Sequence, residues 1–381
     1  ISKRQIETLP QTSRSIADFV RLTPQAQITE GNDGFSISLG GQNNRYNGIY
    51  IDGAVNNDVF GLAGSGTNGG QTGVNPFSVD AIESFTVQLA PFDVKISGFA
   101  GGAISAVTRS GSNEWSGSAY GFVRNQDLAG KTPVDLVGQG ETREKLDEFT
   151  AQTYGVRVGG PIIKDKLFFF LNYERQDDET PQPFNFSNYT GDSSLAEINA
   201  LASSISSQYG YDVGGFENNT RTLESDKITM KLDWNINDKN SFSLKYTMLR
   251  SSADIPASNS GSINSSNGRR PGVTAMPFFG SGYVINNNAD ILIGELNTRF
   301  SNNASNKLQI GFTQLRDFRA SLSAGNFPQV DILDGNGLPY LQASSLQVRG
   351  GAGTPALAVP RTRSTAPRRG GGAGRGGGLG G

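Results

Sequence analysis

Two residue types that carry much enzyme chemistry are absent from this sequence. None of the 381 residues is cysteine, which excludes disulfides, cysteine nucleophiles and thiolate metal sites. None is histidine, the commonest general base and metal ligand. Any catalysis would have to rest on carboxylates, Lys, Tyr, Ser or Thr. We therefore predict that the protein is not an enzyme, and we assign no catalytic residue, cofactor or metal.

Long apolar runs are also missing. Only 35% of the residues are hydrophobic, whereas glycine accounts for 50 of the 381. No run approaches the roughly 18 apolar residues of a transmembrane helix. A membrane β-barrel remains compatible with this composition, because its strands are apolar only at alternate positions. The chain begins at Ile1 without a signal peptide, so a processed chain and a fragment both fit.

Residues 1–112 have the pattern of a small mixed α+β domain with short strands and long loops. A helix is predicted near the start, with Thr12 or Ser13 as its cap and Pro24 ending it. Its apolar face would carry Ile16, Phe19, Val20 and Leu22. Strands are predicted at residues 35–39, 46–52 and 103–109, and a helical turn leading into a strand at 80–89. A loop rich in Gly, Asn and Ser occupies residues 56–76.

After Trp115 the pattern changes to alternation of apolar and polar residues in three hairpins. In the second hairpin Ile228, Met230 and Leu232 alternate with Thr229 and Lys231. Such alternation puts every apolar side chain of a strand on one face. Each arm has about 10 residues, the length that a tilted strand needs to cross a bilayer. The hairpins span residues 152–175, 223–250 and 290–317, with turns at 161–166, 235–240 and 301–306.

The connections between these hairpins, residues 176–222 and 251–289, are long and polar. Loops longer than ~15 residues are rare in compact soluble domains. Short turns at one end of the strands and long loops at the other are typical of outer-membrane barrels. This asymmetry disfavours the alternative, a soluble sheet with one polar face. Aromatic residues near strand ends are expected to form interfacial girdles: Trp115, Tyr154, Tyr173, Trp234 and Tyr246.

The last part of the chain has a third composition. Residues 349–381 contain 6 arginines, 12 glycines and no acidic residue. Such a segment cannot bury a core, so we predict a disordered tail. The preferred hypothesis for its origin is a shifted reading frame or an assembly error near residues 347–349.

Two stretches carry a family resemblance. Residues 45–60 (RYNGIYIDGAVNNDVF) resemble the IDG strand of a TonB-dependent receptor plug. Residues 78–120 resemble the end of that plug, a Gly-rich loop and the crossing into the barrel. The segments GQNNRYN, DGAVNNDVFG and APFDV are similar to those of the Oar-like subgroup of these receptors. The expected fold is therefore an α+β plug domain followed by antiparallel transmembrane β-barrel strands that do not complete the barrel.

The resemblance implies a plug inside a barrel of about 22 strands in the cell outer membrane, in contact with its lipid. An extracellular substrate, which the sequence does not identify, would move inward with energy from a TonB–ExbB–ExbD complex. The expected domains are a plug at 1–112, roughly seven strands of bilayer length at 113–347, and the tail at 348–381. Open strand edges in lipid leave backbone groups unpaired, so we expect no transport by this chain alone. The alternative function is a non-transporting surface protein for adhesion or surface organisation.

Other candidate sites have simpler structural explanations. The G-x-G-x-x-G match at residues 64–69 lacks the strand and helix of a dinucleotide site. The Arg/Gly tail lacks aromatic residues that stack on bases, so no nucleic-acid partner is expected. The acidic segments at 177–179 and 331–337 lack the spacing of a calcium-binding EF-hand.

Charged residues of the plug and of the polar strand face are expected to meet each other. Asp52 and Asp58 flank the plug strand, where they are expected to bond to the barrel wall or to help the plug rearrange. For Asp52, which precedes Gly53, capping a turn is the alternative. The lumen-facing charges are expected to pair with polar groups of the plug, and none is assigned to substrate: Lys231, Asp233, Glu295 and Arg299.

Overall fold

The computed structural model describes residues 1, 3–9, 14–31, 34–89, 99–138, 142–182, 186–189, 193–256, 276–323, 330–333 and 339–344. The Arg/Gly tail, with its predicted disorder, lies outside these residues. Among the described residues, no helix has the length and hydropathy needed to span a bilayer.

The N-terminal part contains two helices and two small sheets around one apolar core. A hairpin of β1 and β2 stands apart from a four-stranded sheet of order β4-β3-β6-β5, in which β3 and β6 are parallel. The core between these elements includes Phe19, Ile37 and Phe85. The elements are α1 (Lys3–Thr8), α2 (Ile16–Val20), β1 (Ala26–Gly31), β2 (Gly34–Leu39), β3 (Gly48–Ile51), β4 (Ala54–Val55), β5 (Ile82–Leu89) and β6 (Gly102–Thr108).

Helix α2 differs in detail from the sequence prediction. Its cap is Ser15, whose side chain and that of Asp18 form a capping box. The predicted caps Thr12 and Ser13 lie outside the described residues. Ile16, Phe19 and Val20 are buried as expected, but Leu22 is 54% exposed because the helix ends before it.

The C-terminal part is dominated by one antiparallel sheet of seven strands, here called the wall. Its order is β14-β13-β11-β10-β9-β8-β7, and its two outer strands do not pair with each other. A small sheet of order β12-β16-β15 lies outside it. The strands are β7 (Ser116–Asn125), β8 (Thr150–Ile163), β9 (Leu167–Pro181), β10 (Thr220–Asn237), β11 (Asn240–Ile255), β12 (Met276–Pro277), β13 (Tyr283–Ser301), β14 (Ala304–Ser321), β15 (Val330–Leu333) and β16 (Pro339–Ser344).

The three predicted hairpins are present as β8–β9, β10–β11 and β13–β14. Their arms have 14 to 19 residues, longer than the predicted ten or so, and their turns have only two or three. Alternation marks only the part of a strand that has an apolar face. Backbone pairing continues beyond it, for example between Pro181 and Thr220, where both faces are polar.

The wall has its polar face buried and its apolar face exposed. On β10 and β11 the inward side chains Lys227, Thr229 and Lys245 are buried, whereas the outward Met230 is 45% exposed. This arrangement is the reverse of a soluble sheet, and it fits strands whose outer face lies in lipid. The two Trp side chains predicted for the girdles, Trp115 and Trp234, are exposed at the end of the wall that carries the short turns.

One of the long connections contains a helix that the loop prediction missed. Helix α3 (Leu195–Tyr209) begins with a capping box of Ser194 and Glu197. Its buried side chains, Ile198 and Ile205, pack in one cluster with Phe278 from the following connection. The two long loops therefore share a small core at one end of the wall.

A charge on the outer face should test whether that face lies in lipid. Met230→Arg is expected to destabilise the reconstituted protein by about 2–4 kcal/mol, because a cation near the bilayer centre is poorly solvated. Ser243→Arg is the control, since Ser243 lies on the inward face beside a polar cavity. Urea unfolding in lipid vesicles measures both. Equal losses for the two variants would contradict a lipid-facing outer surface.

Candidate functional site at the contact between plug and wall

The N-terminal part, called the plug from here on, lies against the inward face of the wall. Among the described strands, none of the plug pairs with a strand of the wall. The polar contacts between them all involve side chains, at three levels between the short turns and the long loops. These ends of the wall are called the turn end and the loop end.

The level nearest the turn end centres on Asp52, in the turn after β3. Its backbone has φ 49°, a left-handed conformation that Asp tolerates better than most residues. The Asp52 carboxylate accepts hydrogen bonds from the Thr108 backbone N–H at 2.8 Å and the Thr108 hydroxyl at 2.6 Å. Lys245 of β11 donates to the same carboxylate at 2.7 Å, and Gln309 of β14 donates to the Asp52 carbonyl at 3.1 Å.

The ion pair between Asp52 and Lys245 is largely shielded from water, because the Lys245 side chain is 4% exposed and that of Asp52 16%. Burial alone would raise the pKa of Asp52. The positive charges of Lys245 and Lys231, with the hydrogen bonds from Lys245 and Thr108, more than offset burial and hold the pKa below its usual value. Asp52 is therefore a carboxylate that joins two plug strands to the wall.

The middle level centres on Glu174 of β9, a wall residue that is almost fully buried. Its carboxylate accepts from Lys227 at 3.0 Å, from Tyr120 at 2.9 Å and from Ser78 of the plug at 2.7 Å. A plug cation, Arg14, approaches it to 4.0 Å. All oxygens of this buried charge thus have partners, as a buried charge requires.

The level nearest the loop end is formed by the glycine-rich plug loop at residues 56–76. The Thr72 hydroxyl lies 2.9 Å from the Ser251 hydroxyl, and the Thr72 N–H donates to Asn287 at 3.2 Å. Val74 packs in a cluster with Leu249 and Ala289 of the wall.

The loop approaches the wall so closely at residue 69 that only glycine fits there. A Cβ at Gly69 would lie 2.5 Å from Leu249 Cδ2, and its φ of +79° strains any other residue. The G-x-G-x-x-G match therefore has a packing explanation: the loop is buried against the wall and opens no helix.

A cavity of about 450 Å³ lies beside the Asp52 turn and is lined by residues of the plug and of the wall. Acidic and basic side chains both line it, so it suits water and charged groups better than apolar ones. The ionisable residues around it are Asp52, Lys231, Asp233, Lys245, Glu295 and Lys307.

The charged residues singled out in the sequence have different positions. Asp52 binds the wall as one alternative proposed, whereas Asp58 caps its own loop through the N–H groups of Leu62 and Ala63, at 2.6 and 2.7 Å. Glu295 pairs with Lys307 at 2.7 Å, within the wall and not with the plug. Arg299 donates to the Asp238 carbonyl, also within the wall. Lys231 and Asp233 line the cavity.

Sequence analysis did not single out Glu174, Ser251 or Asn287. The available signal was weak: each is a polar residue on the inward face of an alternating strand, as are many others. The acidic segment at 177–179 shows Asp177 bound to Arg175 at 2.6 Å, and no group suited to a metal occurs in the described part of the chain. The segment at 331–337 lies partly outside it.

Two family models match the chain. The TonB-dependent Receptor Plug Domain matches residues 1–104, and an Outer membrane beta barrel domain matches residues 107–211. A curated relative, the TonB-dependent transporter Oar of Myxococcus xanthus, is 32% identical over 170 residues. That match covers 42% of this chain and 14% of the relative, so the chain spans a small part of its length.

Solved structures give the same fold. The outer-membrane transporter YddB of Escherichia coli matches with a TM-score of 0.55 and 15% identity, over 84% of this chain and 39% of YddB. The ferric enterobactin receptor PfeA of Pseudomonas aeruginosa matches with a TM-score of 0.51 and 14% identity, over 84% of this chain and 41% of PfeA. At these identities the likeness concerns the fold alone.

Removing the charge of Asp52 should loosen the plug. Asp52→Asn leaves the Lys245 ammonium buried without its counter-ion, a change that typically costs about 3–5 kcal/mol. Hydrogen exchange of β3 and β6 measures the loss. Asp58→Asn is the matched control, because it removes an equal plug charge whose hydrogen bonds go to backbone N–H groups of its own loop. Equal exchange in the two variants would contradict the role of Asp52.

The same contact should depend on acid in a defined direction. Because the pKa of Asp52 is lowered in the folded protein, its stabilisation is fully present above the ordinary value of 3.8. It is lost as the pH falls through the lower, folded-state pKa. Protection of β3 should therefore fall on acidification in the unmodified protein, with a smaller fall in Asp52→Asn.

Close packing of the glycine-rich loop should be sensitive to one methyl group. Gly69→Ala is expected to destabilise the plug more than Gly41→Ala, which has a similar φ of +77° but nothing within 4 Å of a Cβ. The control measures backbone strain alone, about 1–2 kcal/mol. The stability of both variants is measured by unfolding in urea, with proteolysis of the plug as the readout. Leu249→Ala should partly restore the stability of Gly69→Ala. Equal losses at the two glycines would exclude the wall contact as the cause.

Proposed function

We propose that this chain forms the plug and part of the barrel of a TonB-dependent outer-membrane receptor, and that in the full-length protein the plug gates uptake of a substrate across the outer membrane. One observation carries the proposal: among the described strands none of the plug pairs with one of the wall, and the hydrogen bonds found between the two each include a side chain. A plug held in this way can leave its place without breaking either sheet.

The geometry supports an order of release. Short turns of outer-membrane barrels face the periplasm, so the turn end of the wall, with Asp52, is the periplasmic end. A periplasmic pull by a TonB–ExbB–ExbD complex would load the Asp52–Lys245 pair first. Water in the adjacent polar cavity can solvate both charges as they part, which lowers the cost of separating them. The Glu174 level and the glycine-rich loop would follow.

The proposal includes a division of the chain into a plug at residues 1–112 and barrel strands at 113–347. The crossing between them lies beside the turn end, where Gly111 approaches the Phe169 carbonyl closely. The relatives described above are transporters and receptors by name, which favours uptake over the adhesive alternative.

A disulfide between plug and wall should block the proposed movement. The Thr72 and Ser251 hydroxyls lie 2.9 Å apart, and the chain has no native cysteine to interfere. We expect the full-length gene carrying Thr72→Cys and Ser251→Cys to behave as a gene deletion when oxidised and as the unmodified gene when reduced. The measurement is mass-spectrometric profiling of compounds that growing cells remove from the medium.

The control pair for this experiment is Thr229→Cys with Thr247→Cys. These residues face each other on β10 and β11, so their disulfide would lie within the wall and leave the plug free. Cells with the control pair should deplete the medium like the unmodified strain under both conditions. Unchanged depletion with an oxidised Thr72–Ser251 link, or equal depletion in a strain lacking TonB, would show the proposal to be wrong.

A further inference from the structure

The outward face of the wall carries a row of polar side chains near the loop end. Strand pairing places six residues directly opposite one another along this row, so they lie at one height on the wall. We call it the outer polar row; its members are Tyr154, Arg175, Asp226, Arg250, Asn288 and Arg316.

The outer polar row borders the apolar band. Four residues nearer the turn end, every outward position is apolar or aromatic, and this row consists of Val158, Leu171, Met230, Tyr246, Leu292 and Phe312. Four residues of a strand span roughly 13 Å. The outer polar row therefore lies where an apolar membrane interior gives way to headgroups. Long loops face the outside, so these are headgroups of the outer leaflet.

The two halves of this row differ in charge. In the β9–β10 half, Arg175 is bound by the carboxylates of Asp177, Glu224 and Asp226, at 2.6, 3.2 and 2.8 Å. Here three carboxylates surround one guanidinium group, so Arg175 is already fully paired.

On strands β11, β13 and β14, among the described residues, Asp290 is the one outward carboxylate within two residues of the row. Both carboxylate oxygens of Asp290 accept hydrogen bonds from Arg250, at 2.9 and 2.8 Å. The Tyr246 hydroxyl donates to the same carboxylate at 2.6 Å. Arg316 is exposed and has no ion-pair partner within the described residues; its guanidinium lies over the Phe318 ring at 5.2 Å. Asn288 lies between Arg250 and Arg316 in the row. This half therefore presents Asn288 and Arg316 as hydrogen-bond donors, and the carboxylate of Asp290 near them is already paired with Arg250.

We propose that Arg316, with Asn288 beside it, binds a phosphate group of an outer-leaflet lipid. A guanidinium offers a planar pair of donors that matches phosphate oxygens. The apolar band below Arg316, which includes Phe312 and Leu292, takes the acyl chains of the same lipid. Arg250 neutralises Asp290, so this carboxylate does not repel a phosphate at the site.

The test compares lipids that differ by one phosphate. The protein, purified in detergent, is mixed with equal amounts of diphosphoryl and monophosphoryl lipid A, and native mass spectrometry counts the retained lipids. We expect several-fold preference for the diphosphoryl form. Arg316→Gln should abolish most of this preference, whereas Arg316→Lys should keep part of it.

Arg319→Gln is the matched control. It removes the same charge from the same strand, but Arg319 is opposite the buried Ile285 on the inward face. Its lipid preference should equal that of the unmodified protein. Equal retention by Arg316→Gln and Arg319→Gln, or no preference in the unmodified protein, would overturn the proposal. Loss of the preference on adding inorganic phosphate at the lipid's concentration would assign the site to free phosphate and also overturn it.

Discussion

An inverted wall, polar toward the interior and apolar toward the outside, is the constraint on which the rest of the structure depends. Along most wall strands the outward side chains are apolar and many of the inward ones are polar, because side chains alternate. Strand β13 also buries Ile285, Ile291 and Ile293 on the inward face. Once the apolar face is turned to lipid, Lys227, Lys245 and Glu174 have to face inward and require partners there. The plug supplies polar partners on that side, so its place against the wall follows from the need to solvate buried charge.

Among the described strands, those of the plug and those of the wall form separate backbone ladders, and this separates their stability from their attachment. The four-stranded plug sheet and the seven-stranded wall satisfy their ladders independently. Attachment depends on a few side chains, chiefly Asp52, Ser78 and Thr72. Such contacts are strong when dry and weak when water enters, because buried ion pairs lose most of their energy on hydration. This property suits the proposed displacement of the plug.

The loop end of the wall follows a different principle. The two long connections bury Ile198, Ile205 and Phe278 in a small shared core, so part of the loop surface is ordered without support from the wall strands. The sequence prediction for the connection that contains α3 is a polar loop, because polar loops of this length are typical of barrels. Its capping box, Ser194 with Glu197, was the local signal for a helix.

The sequence by itself determined the local elements and the class of the protein. Alternation at residues 223–250 predicted a two-faced hairpin, and residues 45–60 and 78–120 carried the family resemblance, because both depend on neighbours along the chain. Only the tertiary structure decided that Asp52 meets Lys245 across 193 residues, that Asp58 stays within its loop, and that Glu295 pairs inside the wall. Every inward polar residue has the same local pattern. Which of them meets the plug depends on strand register and on where the plug lies, and neither is encoded in any single segment.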